Sequence, residues 1–472
     1  MIHFVNVGPG GTFEASGDHV TRAADVDRLF QDILSTGAKS LVIHFHGGLV
    51  SEDDGVDIAG KMASVYTDAG AMPLTFVWET GLGETFRDNL LQIHGTTLFQ
   101  KLLKWLLRRV ASRFGGFEGR GAGVSIPMAE IEAELRKPTP FASYDDPATG
   151  KGAAARGGVA VRETDLDGLK AELQAEFQED IDGDMTVITE VDTLAGRKPD
   201  AAARGLISGL KTARILAAIA YRVIRRHIRG RDHGFYPTVV EELLRELYLA
   251  DLGAWVWGRM KVKAAAMWLP NDGLRGDECR AGTYVLEKIA ALQAARPGFR
   301  VDLVGHSAGS IAICELLRAA AARGIEVQVH TIAFLAPAGR AELGVAELAR
   351  YPDRCLQFRC YTMRDDYERA DHLVPGVYTR SLLYFISGVL EPDEVDAPIM
   401  GMMRHVSGQG PFQTGPAADW AAFMTAHQRL VLSDSTVIDP GAAAGRRTAS
   451  HSHGGFDDDV LTRKSLTELL RA

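Results

Sequence analysis

The sequence predicts an α/β protein: a mostly parallel sheet with helices on both faces, interrupted by a large and mainly helical insertion. Three observations carry this. Apolar, β-branched runs alternate with segments of helical periodicity over the first 79 and the last 200 or so of 472 residues, the pattern of strands joined by crossover helices. One such run, VDLVGHSAG at 301–309, passes through a glycine-flanked turn straight into Ile311, Cys314 and Leu317 at helical spacing. Between Thr80 and Pro270 the alternation stops, and long helical stretches replace it.

In chain order, MIHFVNVG reads as a first strand and DVDRLFQDILSTG as a helix leading into SLVIHFHGGL, a strand that ends at His46. GVDIAGKMASVYTDAG is the connecting helix to the strand MPLTFVWE at 72–79. The insertion, 80–270, holds helical stretches at 98–114, 206–229 and 239–260, and two glycine-rich stretches, from Gly115 and from Ala148, that read as loops or hinges. A helix over 281–295 rejoins the core and leads to the strand before Ser307. Further strands follow at 327–338 and 354–363, then a helix at 381–391 and a last strand at 427–435. DPGAAAGRRTAS (439–450) reads as a flexible loop delivering His451 and His453, and LTRKSLTELLRA as a closing helix. The expected division is therefore core (1–79), insertion (80–270) and core (271–472).

The turn Gly305-His306-Ser307-Ala308-Gly309 carries the chemistry. A serine held between a strand and a helix on a sharp turn exposes its Oγ above the sheet, provided the residues two before and two after lack bulk. Gly305 and Gly309 meet that demand. Chance supplies roughly 0.2 such five-residue patterns in a chain this rich in glycine, so the flanking strand and helix decide the reading.

Here the chain resembles the α/β-hydrolase superfamily, with further pieces in that family's order: a His46-Gly47-Gly48 loop after an early strand, the Ser307 turn, Arg364-Asp365-Asp366 after a later strand, and His451-Ser452-His453-Gly454-Gly455 near the end. The order Ser, Asp, His is the superfamily's. The resemblance covers residues 1–79 and about 271–472. It implies an α/β-hydrolase fold and a serine hydrolase that cleaves a carboxylic ester, lipid-like in one version, through an acyl-enzyme on Ser307, with no cofactor and no metal. Its imidazole is His453, with His451 as the alternative. Its carboxylate is Asp365, with Asp366 the alternative and Asp371 after both. The oxyanion donors are the main-chain N–H groups of Ala308 and Gly48, with Leu49 as the alternative to Gly48. His46 supports the loop by hydrogen bonding. Peptidase or amidase activity by the same triad, and a non-catalytic binding or regulatory protein on this fold, are the rivals.

His44-Phe45-His46 also fits the H-x-H of a metal hydrolase, a reading that needs further His and Asp ligands at strand ends. His306 is expected to pack and His330 to be a satisfied core residue. The net charge of −9 excludes a broadly nucleic-acid-binding surface. The basic, aromatic insertion helices admit two readings: an apolar cap over an acyl site with peripheral contact to anionic head groups, or amphipathic helices packed on the core. The partner expected is a small-molecule or lipid-like acyl substrate. The opening MIHFVNVGPGG lacks the pattern of a secretory signal, and the four cysteines show no C-x-x-C spacing, so a cytoplasmic protein with reduced thiols is expected.

Overall fold

The computed structural model describes residues 4–14, 17–48, 50–78, 83–114, 126–145, 166, 168–182, 184–194, 206–248 and 254–471. Seven strands form one all-parallel sheet: β1 (Phe4–Asn6), β2 (Ser40–Phe45), β3 (Met72–Val77), β4 (Arg300–His306), β5 (Val329–Leu335), β6 (Cys355–Met363) and β7 (Leu430–Ser433). Their spatial order is β1-β3-β2-β4-β5-β6-β7. β2 and β4 pair with Phe45 opposite Gly305. The central strands are buried on both faces, which is why Leu41–Phe45 and Val301–Val304 read as apolar runs.

The chain builds outward from β2 to β3, then returns to place β4 on the other side of β2 and continues the opposite way. The direction of strand addition therefore reverses between β2 and β4. At such a switch point the loops leaving two adjacent strands diverge to opposite faces and leave a crevice at the carboxyl ends. Those loops are His46-Gly47-Gly48 and the Ser307 turn.

The crossovers arise where the sequence signals them. Glu52–Asp68 is capped by Ser51, whose hydroxyl accepts from the Asp54 N–H at 3.1 Å, with three acidic residues in its first turn. Gly37, at φ 68°, ends the helix Ala23–Thr36 in the left-handed conformation favoured by glycine. A helix not foreseen in the sequence, Gly415–Thr425, precedes β7 and packs Trp420 and Phe423 edge-on against Phe358 of β6.

The chain divides into two compact units: residues Met1–Glu84, Val256–Asp371 and Pro398–Ala472 hold the sheet, and Thr85–Trp255 with His372–Ala397 form the other. The division expected at 80–270 thus differs in two ways. Most of the helix Ala254–Ala266 belongs with the sheet, and a second excursion, 372–397, leaves the sheet unit after β6. The helix expected at 381–391 lies in that excursion, as Leu382–Leu390 with a widened final turn. The continuous stretch read at 239–260 is divided between two helices, Phe235–Leu247 and Ala254–Ala266. Both glycine-rich stretches lie outside the described residues.

Within the helical unit, the basic residues of Thr97–Phe114 meet acids of neighbouring helices. Arg109 pairs with Asp180 at 2.8 Å, Arg113 with Glu176 at 2.5 Å, Lys104 with Glu132 at 2.8 Å, and Lys101 with Asp184. Cations spaced among Leu and Trp thus serve helix-to-helix packing here. Among the described residues no helix is long and apolar enough to cross a membrane. All four cysteines are buried free thiols.

Candidate active site

Ser307 has φ 51°, a left-handed backbone that costs a non-glycine residue about 1–3 kcal/mol and persists only where its surroundings hold it. They hold it at both ends of the peptide: its N–H donates to the Leu335 carbonyl of β5 at 2.8 Å, and its carbonyl accepts from the Ala338 N–H at 3.0 Å and the Ser310 hydroxyl at 2.7 Å. The flanking glycines are required by close approach. A Cβ on Gly305 would lie 2.8 Å from the Gly309 carbonyl carbon and from Ile313, and one on Gly309 would collide with the main chain of Phe45 in β2.

The helix Gly309–Arg323 begins immediately after, so the Ala308 N–H belongs to the first turn, where amide protons lack intrahelical acceptors. The loop after β2 runs against it. A Cβ on Gly47 would come 3.3 Å from the Ser307 Cβ, and one on Gly48 would come 3.2 Å from the Ala308 Cβ and strike the thioether of Met260. The bare backbone of Gly47-Gly48 is therefore what lets this loop lie beside the serine. Leu49 lies outside the described residues.

His46 fixes the loop with both nitrogens. Nδ1 donates to the Gly47 carbonyl at 2.7 Å, and Nε2 accepts from the Trp78 N–H at 3.2 Å. His44 contacts the Tyr66 hydroxyl through Nδ1 at 2.6 Å. Burial holds both imidazoles down at about 4, so they are neutral. Among the described residues, no three His, Cys, Asp or Glu side chains converge as metal ligands. His330 is half-buried, with Nδ1 2.9 Å from the Thr331 hydroxyl.

His453 is buried, and its Nε2 lies 2.9 Å from the Ser307 Oγ. Burial, and then the neighbouring charge of His306, push its pKa down to about 3, so the ring is neutral and able to accept a proton. The segment delivering it, expected as a flexible loop, is strapped down. The Thr448 carbonyl accepts from the Ser435 N–H at 3.0 Å, the Ala449 N–H donates to Asp459 at 2.9 Å, and the Tyr361 hydroxyl donates to the Gly445 carbonyl at 2.8 Å. His451, two residues earlier, is exposed and stacks on Tyr367 at 4.1 Å between ring centroids.

The carboxylate beside His453 is not the one first chosen from the sequence. Asp365 opens the helix Asp365–Ala370, and Asp366 forms a surface pair with Arg364 at 2.5 Å. Neither hydrogen bonds to the His453 ring, since Nδ1 has no hydrogen-bond partner and Nε2 faces Ser307. The helix carries both aspartates into its first turn, and the chain meets the histidine turn only at the helix's end. There Asp371 accepts the His453 main-chain N–H at 2.8 Å. Burial raises the Asp371 pKa, and that hydrogen bond partly offsets the rise.

A second carboxylate, which the sequence reading missed, is Asp457. Its Oδ2 lies 2.6 Å from His306 Nδ1, and His306 Nε2 lies 2.9 Å from the His453 carbonyl oxygen. Burial opposes its charge, but the charge and hydrogen bond of His306, with His44 and His46 adding to them, hold Asp457 at about 2. The sequence signal was the run Asp457-Asp458-Asp459 directly after a histidine turn, two of whose members have buried or loop-tying roles.

Comparison of the chain with protein-family models, with curated proteins and with solved structures finds no match.

Proposed function

We propose that this chain is a serine hydrolase on an α/β-hydrolase fold, cleaving a carboxylic ester through an acyl-enzyme on Ser307. The observation that carries the reading is the 2.9 Å contact between the Oγ of a serine in left-handed backbone and the Nε2 of a buried, neutral histidine. A serine hydroxyl is too weak an acid to attack an acyl carbon unaided. His453 takes its proton at Nε2 as the Oγ–carbon bond forms, and returns it to the departing alkoxide; water then repeats the sequence to release the acid.

For Nε2 to accept, the ring proton must sit on Nδ1, the atom left without a partner. We assign the orienting carboxylate to Asp371, which already accepts the same residue's main-chain N–H. The N–H groups of Ala308 and Gly48 supply the oxyanion donors, each worth about 3 kcal/mol in the transition state.

Both excursions that build the helical unit leave the chain after the carboxyl ends of sheet strands, β3 and β6.

The test is a fluorophosphonate followed by a panel of esters, thioesters and amides. The expected result is a single label at Ser307, lost together with turnover in a folded Ser307→Ala protein. Turnover that persists in that variant overturns the assignment. Labelling with amide turnover exceeding ester turnover replaces the esterase by an amidase, and a folded wild type that neither labels nor turns over any member points to a binding protein.

A further inference from the structure

His306 was expected only to pack, yet it occupies an unusual electrostatic position. Its Nδ1 faces a carboxylate, Asp457 Oδ2 at 2.6 Å, and its Nε2 faces a carbonyl, His453 O at 2.9 Å. A carbonyl oxygen can only accept, so Nε2 carries a proton; an ionised carboxylate can only accept, so Nδ1 carries one too. Both ring nitrogens are therefore protonated and His306 is an imidazolium. Burial alone would favour the neutral ring, but Asp457, the His453 carbonyl and the more distant Asp458 together lift its pKa above the ordinary histidine value.

The consequence falls on His453. Its main chain is held from both sides, the N–H by Asp371 and the carbonyl by His306, while its side chain reaches Ser307. The two imidazole rings lie 5.7 Å apart between centroids, close enough for the charge on one to oppose protonation of the other. We infer that His306 is a positioning residue for the proposed base: locked between Asp457 and the His453 carbonyl, its charged ring fixes the histidine turn over Ser307 and keeps the base unprotonated. This rests on the serine-hydrolase reading.

The groups whose charge acts on His306 or feels it are Asp457 and Asp458 ahead of the last helix, His453 in its turn, His44 in β2 and His46 just after it; Tyr66, in the helix Glu52–Asp68, faces Asp457 and His44. His44 and His46 are neutral, and the Tyr66 pKa is raised by burial and by Asp457, so Asp457 is the strong anion opposite the imidazolium.

Two substitutions separate the anchor from the charge. The amide of glutamine overlies histidine Nε2, and that of asparagine overlies Nδ1. His306→Gln keeps a donor to the His453 carbonyl and loses the cation; His306→Asn loses both the anchor and the cation. The measurement is the pH profile of ester turnover and of fluorophosphonate labelling. In both variants the acid limb should move up by roughly one pH unit, because the base gains basicity when the neighbouring cation goes while Asp457 stays. The plateau should fall about 10- to 100-fold in His306→Asn, as for a mispositioned catalytic group, and stay within about 3-fold of wild type in His306→Gln. Acid limbs unmoved in both variants, with plateaus that merely follow thermal stability, overturn the inference.

If neither variant folds, nitrogen-15 histidine spectra of the wild type decide. Two protonated ring nitrogens on His306 at pH 7.5 are expected, and a neutral ring there overturns the inference. Failure of the serine-hydrolase reading is recognised separately, by turnover surviving Ser307→Ala.

Discussion

Two buried histidines illustrate the difference between a site and a staple. His233, in the helical unit, has a carboxylate on each nitrogen, Glu241 at 2.7 Å and Asp396 at 2.8 Å. Glu241 also accepts from the Tyr378 hydroxyl at 2.5 Å and pairs with Arg226 at 2.7 Å. The cluster joins the excursion 372–397 to the helices Leu206–Ile228 and Phe235–Leu247, so its members come from two separate stretches of the same unit. His453, in the sheet unit, keeps one nitrogen on a serine and leaves the other without a partner. Both nitrogens of His233 are engaged by carboxylates, which leaves it no face for a reacting group. His453 instead presents Nε2 to a hydroxyl, whose proton it can take up and return. By this criterion the sheet unit holds the histidine proposed as the base and the helical unit the structural one.

The sharpest way to break the contrast is to remove the carboxylates. Asp371→Asn should lower ester turnover by about 10⁴-fold with little change in thermal stability, since an amide cannot hold the imidazole in the required tautomer. Asp365→Asn and Asp366→Asn should each stay within about 3-fold, because one opens a helix and the other pairs on the surface. A large loss at Asp365 and none at Asp371 would return the acid to the sequence-based choice. On the helical side, Glu241→Gln should cost stability in place of rate. It leaves Arg226 and His233 facing a neutral amide in a dry interior, at roughly 3–5 kcal/mol, while fluorophosphonate labelling per folded molecule stays within about 3-fold. Chemical denaturation followed by hydrogen exchange over 206–247 measures it; unchanged stability there would remove the staple.

Acidification sharpens the comparison further. In the sheet unit His44 and His46 are held near 4 and His453 near 3, all below the unfolded value of about 6.5. The unfolded chain then binds more protons than the folded one as pH falls below about 6.5, so each histidine removes up to about 1.4 kcal/mol of stability per pH unit until its folded pKa is reached. Glu241 is different: His233 and Arg226 overcome burial and hold it at about 2 against 4.5, so its contribution persists above about 4.5 and fades only as pH drops from there towards 2. Hydrogen exchange over a pH series should therefore show the sheet unit loosening first, between about 6.5 and 4, and the 206–247 helices later. The reverse order would mean that the buried histidines are already charged in the folded protein.

How much of this was legible in the sequence follows the range of the interactions. The strands, most of the helices and the serine turn follow from local periodicity and from glycines at fixed offsets, so β2, β4, Ser307 and Gly47-Gly48 could be read directly. His453 could be read because it follows the last strand. Asp371 was ranked behind Asp365 and Asp366, because nearness to the strand end and the Met-x-Asp pattern of similar hydrolases were the guides. Asp371 follows the helix Asp365–Ala370 and accepts the His453 main-chain N–H across 82 residues, and no spacing rule encodes that. Asp457 and His306 meet across 151 residues, and His233 meets Asp396 across 163. Pairings of that range depend on the tertiary fold alone. The sheet unit's second gap, at 372–397, was hidden for the same reason: its helix looks like any crossover until its partners in Phe235–Leu247 are known.

The smallest expected effect tests the choice between two histidines two residues apart. In continuous extended chain residues two apart share a face, but directly after Ser452 (φ −140°, ψ 151°) the chain enters the helical turn His453–Gly455, and the two histidines end in different surroundings. His453 goes inward to Ser307, and His451 goes outward onto Tyr367, whose ring also lies under the Arg364 guanidinium at 4.6 Å. An exposed ring stacked on an aromatic contributes little to stability and nothing to proton transfer. His451→Ala should therefore change kcat/KM by less than about 2-fold and stability by less than about 0.5 kcal/mol. The same change at His453 should remove turnover and labelling together. A protein that tolerates loss of His453 but not of His451 would require the turn to sit flipped in solution, with His451 over Ser307. The hydrogen bonds from the His453 main chain to Asp371 and His306 oppose that arrangement, because a flip must break both.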